Sequence, residues 1–240
     1  MKIIIDEKLV RRNARIGQIA TVASLVVLGS GMFLTFQKPE LIGASITALL
    51  VGFLLSQVGV GYTNRWGRSP RPDEQLSKAL KGLDKRYTLY HYHTPAAHLL
   101  VGPAGIWTII SKHQKGLIAY DEKKKRWKQS GGGFIQAYLK IFAQEGIGRP
   151  DLEIEADTDK LTKFLGKKLP DGVDIPQIRA ALVFSSPEAD VQADNAPVPT
   201  LPLKKLKDVI RREAKEKPIK MTTVQQIQRL LDPPERDDEA

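Results

Sequence analysis

All four histidines of this chain, His91, His93, His98 and His113, fall in one short stretch, and the chain has no cysteine. Histidine nitrogens and carboxylate oxygens are therefore the side-chain donors left for a metal. His91 and His93 lie two apart, which puts both on one face of a strand, and His98 is placed to lie on a neighbouring strand. The spacing admits a zinc or other transition-metal site built from His91, His93 and His98, while the plainer reading is partly exposed sheet histidines that never converge. A second chemical signal is the run Lys123, Lys124, Lys125, Arg126, Trp127 and Lys128, cations around one aromatic ring. It suits nucleic acid, with the ring for stacking. It equally suits a solvated hairpin tip or anionic lipid headgroups, where each basic residue contributes about 1 kcal/mol. Lys204, Lys205, Lys207, Arg211 and Arg212 form a second basic stretch. Without cysteine there is no disulfide framework, no thiol nucleophile and no cysteine-held zinc or iron–sulfur centre.

The chain that must position these groups is 240 residues long with a net charge of +10, enough for one or two domains and biased toward anionic partners. Its first quarter differs from the rest. Residues 16–36 and 41–62 are two uncharged apolar runs, each long enough for a helix to cross roughly 30 Å of hydrocarbon. Four residues, Gln37 to Glu40, join them, so the spectrum of arrangements narrows to an antiparallel transmembrane hairpin whose turn sits at a membrane face. Small residues at Ala44 and Ala48, and at Gly52 and Ser56, let the helices approach closely. The length of the first run and the second span behind it distinguish the pair from a secretory leader. Arg11, Arg12 and Arg15 precede the hairpin, Arg65, Arg68 and Arg71 follow it, and the turn holds one lysine. The positive-inside rule then puts both termini and the main domain in the cytoplasm.

The organisation expected is a basic N-terminal arm over 1–15, the hairpin over 16–62, a linker over 63–72, an α/β domain over 73–215, and a short helix with an acidic unfolded tail over 216–240. Within the domain, 73–83 carries Leu76, Leu80 and Leu83 at helical spacing. Residues 87–92 alternate as a strand. Strands over 98–101 and 106–111 flank Gly102-Pro103-Ala104-Gly105, where proline fixes φ and glycine permits its positive values. Strands follow at 116–120 and just after the 121–128 turn. Helices are expected at 134–144 and, after Pro150, at 151–165; a buried strand covers 178–184. Two helices over 203–215 and 222–231 end the folded part.

The stretch from His98 to Gly116, HLLVGPAGIWTIISKHQKG, resembles the core of the nuclease-related domain (NERD) family: strand, Gly-Pro-x-Gly turn, second strand, an acidic-x-Lys signature and a glycine. A preceding helix with Glu74, Trp127 after the meander, the Arg149-Pro150 step before a helix and the Ala180–Phe184 strand extend the resemblance over most of 73–215. It implies a restriction-endonuclease-like fold, a mixed sheet flanked by helices. In such a fold two carboxylates hold a divalent metal and a lysine positions or activates water at a phosphodiester. Here the first acidic position falls on Ala97 and the second on Ile110, and only Lys112 is in place. Neither alanine nor isoleucine ligates Mg²⁺, which wants oxygen donors. Displaced carboxylates would have to come from Glu74, Asp121 or Glu153.

Three functions from different classes follow. The first is a membrane-anchored, catalytically degenerate NERD-like module that binds a protein partner or nucleic acid at the cytoplasmic face and needs no cofactor. The second is an active nuclease using Mg²⁺ through displaced ligands. The third is a structural membrane adaptor. The bilayer is a partner in all three, with nucleic acid or anionic headgroups as candidate partners of the basic surface.

Overall fold

The computed structural model describes residues 1–130, 146–169 and 175–233. The helix expected at 134–144 and the acidic tail lie outside these residues. The chain divides into two compact units, one containing Glu7–Arg71 and the other drawing together Met1–Asp6, Pro72–Gly131 and the chain from Ile147 onward.

In the first unit, α1 (Glu7–Gln37) and α2 (Ile42–Tyr62) are joined by a single 3₁₀ turn over Pro39–Leu41. Both helices are long and apolar enough to cross a membrane. Their outward side chains are mostly apolar: Ile19, Val22, Leu25 and Val26 are each more than 60% exposed, far beyond the apolar patch a water-facing surface tolerates. The contact between the helices is made by small residues. Ser45, Gly52 and Gly59 are the buried residues of α2, at spacings of seven, facing Gly17, Ala20, Ser24 and Gly31 of α1. A Cβ at Gly52 would lie 2.7 Å from Leu28 Cγ, and one at Gly59 2.6 Å from Thr21 Oγ1, so glycine is what permits the approach. Ser45 Oγ adds a hydrogen bond donated across the pair to the Gly31 carbonyl. Of the small residues expected at the contact, Gly52 and Ala48 lie there, whereas Ala44 is exposed. A π-helical turn, Thr63–Gly67, prolongs α2 into the segment expected as linker.

The second unit is a six-stranded mixed sheet in the order β1-β2-β3-β4-β7-β9, with a small three-stranded sheet β6-β5-β8. The strands are β1 (Lys2–Ile5), β2 (Thr88–His91), β3 (His98–Gly102), β4 (Gly105–Lys112), β5 (Gly116–Asp121), β6 (Arg126–Ser130), β7 (Ile178–Phe184), β8 (Ala189–Gln192) and β9 (Thr200–Pro202). The helices are α3 (Pro72–Ala79), α4 (Pro150–Lys168), α5 (Leu206–Glu216) and α6 (Met221–Leu231). In the large sheet β3 alone runs against the others. The β3–β4 turn is the expected one, with Gly102 opposite Gly105 and Gly105 at φ +104.

Strand alternation decides what each face buries. Leu89, Leu100, Trp107 and Ile109 meet Leu76 and Leu80 beside α3 and Leu206 and Ile210 of α5. Tyr90, Leu99, Val101 and Ile106 meet Leu161 and Leu165 of α4 and Val224, Ile227 and Leu231 of α6. On that second face Ile110, Leu182 and Phe184 continue into a cluster with Ile118 and Trp127 of the small sheet. The sequence sets 1–15 and 216–240 apart from the domain; in the structure Lys2–Ile5 is a sheet strand and α6 is part of the core. Tyr90 ties α6 down by donating to Asp232 Oδ1 at 2.8 Å, and burial together with that carboxylate pushes its phenol pKa far up.

The edge strand β1 makes a testable difference. A fragment starting at residue 73 leaves the backbone of β2 unpaired, which is the condition for edge-to-edge aggregation. We expect residues 73–233 alone to aggregate. Residues 1–6 joined to 72–233 by a flexible glycine–serine linker should give a monomer with cooperative urea unfolding, as read by light scattering and circular dichroism.

Candidate functional site

In open α/β sheets ligands bind beyond the carboxyl ends of the strands. Here that end is defined by Ile5, His91, Lys112, Phe184 and Pro202, the last residues of the five co-directional strands. The chain also leaves for α1 through Asp6 and returns at Pro72 at this end, and Glu153 of α4 meets Lys112 there.

Lys112 is the last residue of β4, on the face covered by α4. Its ammonium donates to both carboxylate oxygens of Glu153, at 2.6 and 2.8 Å. The Lys112 side chain is only 15% exposed, against 43% for Glu153. Of the three carboxylates considered as replacement ligands, Glu153 is thus the one at the lysine. Asp121 closes its own turn instead: it accepts the Lys124 amide at 3.0 Å and pairs with Lys128 at 2.5 Å. The Lys128 hydrogen bond holds its carboxyl below the usual range. Glu74 belongs to α3, which packs on the opposite face of the sheet. Ile110, two residues before Lys112 on the same face, is buried among Ile118, Trp127, Leu182 and Phe184. Ala97 offers only its backbone, whose carbonyl accepts the Tyr92 amide at 2.8 Å.

His91 and His98 face each other across β2 and β3, on the α3 side. Their Nδ1 atoms are 2.8 Å apart, and His91 Nε2 lies 3.0 Å from Ser77 Oγ of α3. Both rings are buried. A bond between two Nδ1 atoms requires one to carry hydrogen and the other to be bare. Tyr92 then leaves the strand at φ +59, a left-handed conformation uncommon outside glycine. Consequently His93 does not share a face with His91. It stacks on Tyr90, with ring centroids 6.2 Å apart, on the far side of the sheet. Among the described residues no three histidine or carboxylate side chains converge on a metal-sized site. The signal for the His91–His98 contact lay in the sequence as the placement of His98 on the adjacent strand; the break after His91 did not, because nothing in Tyr92 announces a positive φ.

The basic run is split by strand alternation. Lys123, Lys124, Lys125, Arg126 and Lys128 are exposed on the β5–β6 turn. Trp127 points inward, edge-on to Tyr120, and its indole N–H donates to Thr200 Oγ1 at 3.0 Å. The ring is therefore not offered to a base, and the turn is a cationic tip without a stacking platform.

The carboxyl end thus carries a clamped Lys–Glu pair on one face and a buried imidazole pair on the other. Comparison of the chain with family models, with curated proteins and with solved structures finds no match.

Because Glu153 holds the Lys112 ammonium in a half-buried site, Lys112→Ala is expected to destabilise the domain by about 1–2 kcal/mol, less than the 3–5 kcal/mol of a fully buried pair. Urea unfolding of the variant against the parent checks this; an unchanged midpoint would mean the lysine faces solvent.

Proposed function

We propose that the chain is a two-pass membrane protein whose domain is a NERD-like module of restriction-endonuclease-like fold. It no longer hydrolyses phosphodiesters and instead binds a protein partner, or nucleic acid, at the cytoplasmic face. The element order supports the fold: α3, the β2–β3–β4 meander with its Gly-Pro-Ala-Gly turn, α4, then β7 parallel to β4. Two exposed apolar helices support the bilayer as partner. Pairing of β1 with β2 joins residues before and after the hairpin in one sheet, which supports a hairpin that departs from and returns to one side of the bilayer. The arginine-rich flanks assign that side to the cytoplasm.

The observation that carries the loss of hydrolysis is the state of the motif. Ile110 is committed to an apolar cluster and the Lys112 charge is neutralised by Glu153, and among the described residues no three histidine or carboxylate groups converge there, where a divalent cation would need several oxygen ligands. Its contact with Lys112 makes Glu153 the one group favouring the displaced-ligand reading.

The test is incubation of the full chain, in nanodiscs, with linear DNA and with RNA in Mg²⁺ or Mn²⁺. No metal-dependent cleavage is expected. Cleavage that disappears in Glu153→Gln would replace this reading with an active nuclease using a displaced carboxylate.

A further inference from the structure

The amino end of the sheet, opposite to His91 and to the points where the chain leaves for and returns from the hairpin, carries a groove of about 600 Å³, the size of a ligand-binding cleft. Its floor is apolar, formed by Leu83, Pro103, Ile219 and Met221, and Arg211 and Lys215 of α5 stand at its rim. The floor is fixed: the Ile219 amide donates to the Pro103 carbonyl at 3.0 Å, binding the α5–α6 link to the β3–β4 turn. Arg211 is oriented by one bond from its NH2 group to the Gly82 carbonyl at 3.1 Å. A guanidinium has five N–H donors, so this bond sets its direction without consuming its capacity.

The lining of the groove carries three cations, Arg86, Arg211 and Lys215, against one acid, Asp84, with Glu216 exposed beside Lys215. Asp84 is taken by Arg86, which reaches it from Nε at 3.0 Å and from NH2 at 2.5 Å. Glu213, on the same helix as the rim cations, is paired with Arg179 at 2.8 Å. Lys81, Lys85, Lys217 and Lys220 are exposed beside the lining residues and widen the positive field that steers an anionic partner.

We propose that this groove docks an acidic peptide segment bearing apolar side chains, supplied by a second protein. This rests on the reading of the domain as a binding module. Charge complementarity selects the acidic residues, and the floor selects apolar ones, with Met221 adaptable to their shape. Nucleic acid is the poorer occupant, because the aromatic of the groove, Tyr87, is buried to 3% exposure and offers no face for a base.

The experiment uses the full chain in phosphatidylcholine nanodiscs and fluorescence anisotropy with three probes. They are a labelled synthetic peptide of leucine, serine and glutamate, its counterpart with lysine for glutamate, and an oligothymidylate. The acidic peptide is expected to bind, to weaken with added salt, and to lose about tenfold in affinity with Arg211→Glu or Lys215→Glu. Met221→Asp should also weaken it, and each variant must keep the parent's circular dichroism. The proposal is overturned if the acidic peptide fails to bind, if the lysine peptide binds as well, or if the variants leave affinity unchanged. It is equally overturned if oligothymidylate is the probe the variants release. More than tenfold tighter binding after removal of residues 234–240, with their Glu235, Asp237, Asp238 and Glu239, would assign the groove to the chain's own end. None of these outcomes bears on metal-dependent cleavage, so failure here and failure of the non-hydrolytic reading are separately visible.

Discussion

The pairing of Lys2–Ile5 with Thr88–His91 is the constraint on which the rest depends. It makes the two long apolar helices an excursion from a single sheet. A connection of this length between parallel neighbours would ordinarily add to the loop-closure entropy, though only logarithmically. An antiparallel helix pair reduces even that, because it brings its own ends together: the Cβ position of Gly17, early in α1, is 3.0 Å from Tyr62 Cβ at the end of α2. The strand is also held at its start, where the N-terminal ammonium donates to the Leu83 carbonyl at 3.3 Å and Lys2 pairs with Asp232 at 2.7 Å beyond α6. The start of β1 and the end of α6 are thereby tied together at one edge of the sheet.

Strand parity then distributes the chemistry. Along β4 the even-numbered residues face α4 and the small sheet, so Ile110 and Lys112 share a face but meet different surroundings: apolar side chains for the first and the first turn of α4 for the second. Glu153 fits that turn, where the helix dipole favours negative charge. This sheet end carries one ion pair, Lys112–Glu153, and a buried imidazole pair, His91–His98.

Much of this was legible in the sequence, and what was not has a physical reason. The hairpin, the β3–β4 turn, the buried β7 and the amphipathic helices carry local signals of length, periodicity and turn chemistry. The strand β1 does not: four residues of Lys-Ile-Ile-Ile beside a cationic helix start have a partner more than eighty positions away, and only that partner makes them a strand. The same holds for the short β8 and β9. Trp127 departs from the stacking ring that the basic run suggests for a different reason. Cations around an aromatic suggest a binding platform, yet the alternation Arg126 out, Trp127 in, Lys128 out was visible, and burial of the one large apolar side chain outweighs its exposure. The helix α6 follows a proline-containing link and a basic stretch, which look like the end of a domain; Val224, Ile227 and Leu231 bring it back into the core.

The central claim, that the apolar hairpin departs from and returns to one sheet on one side of a bilayer, is tested most directly by site-specific labelling, since the chain has no cysteine of its own. Single substitutions Lys2→Cys, Gln37→Cys and Lys205→Cys would be exposed to an impermeant maleimide in intact and in permeabilised cells. The account predicts labelling of Gln37→Cys in intact cells, and of Lys2→Cys and Lys205→Cys only after permeabilisation. Labelling of Lys2→Cys and Lys205→Cys from opposite sides would contradict it.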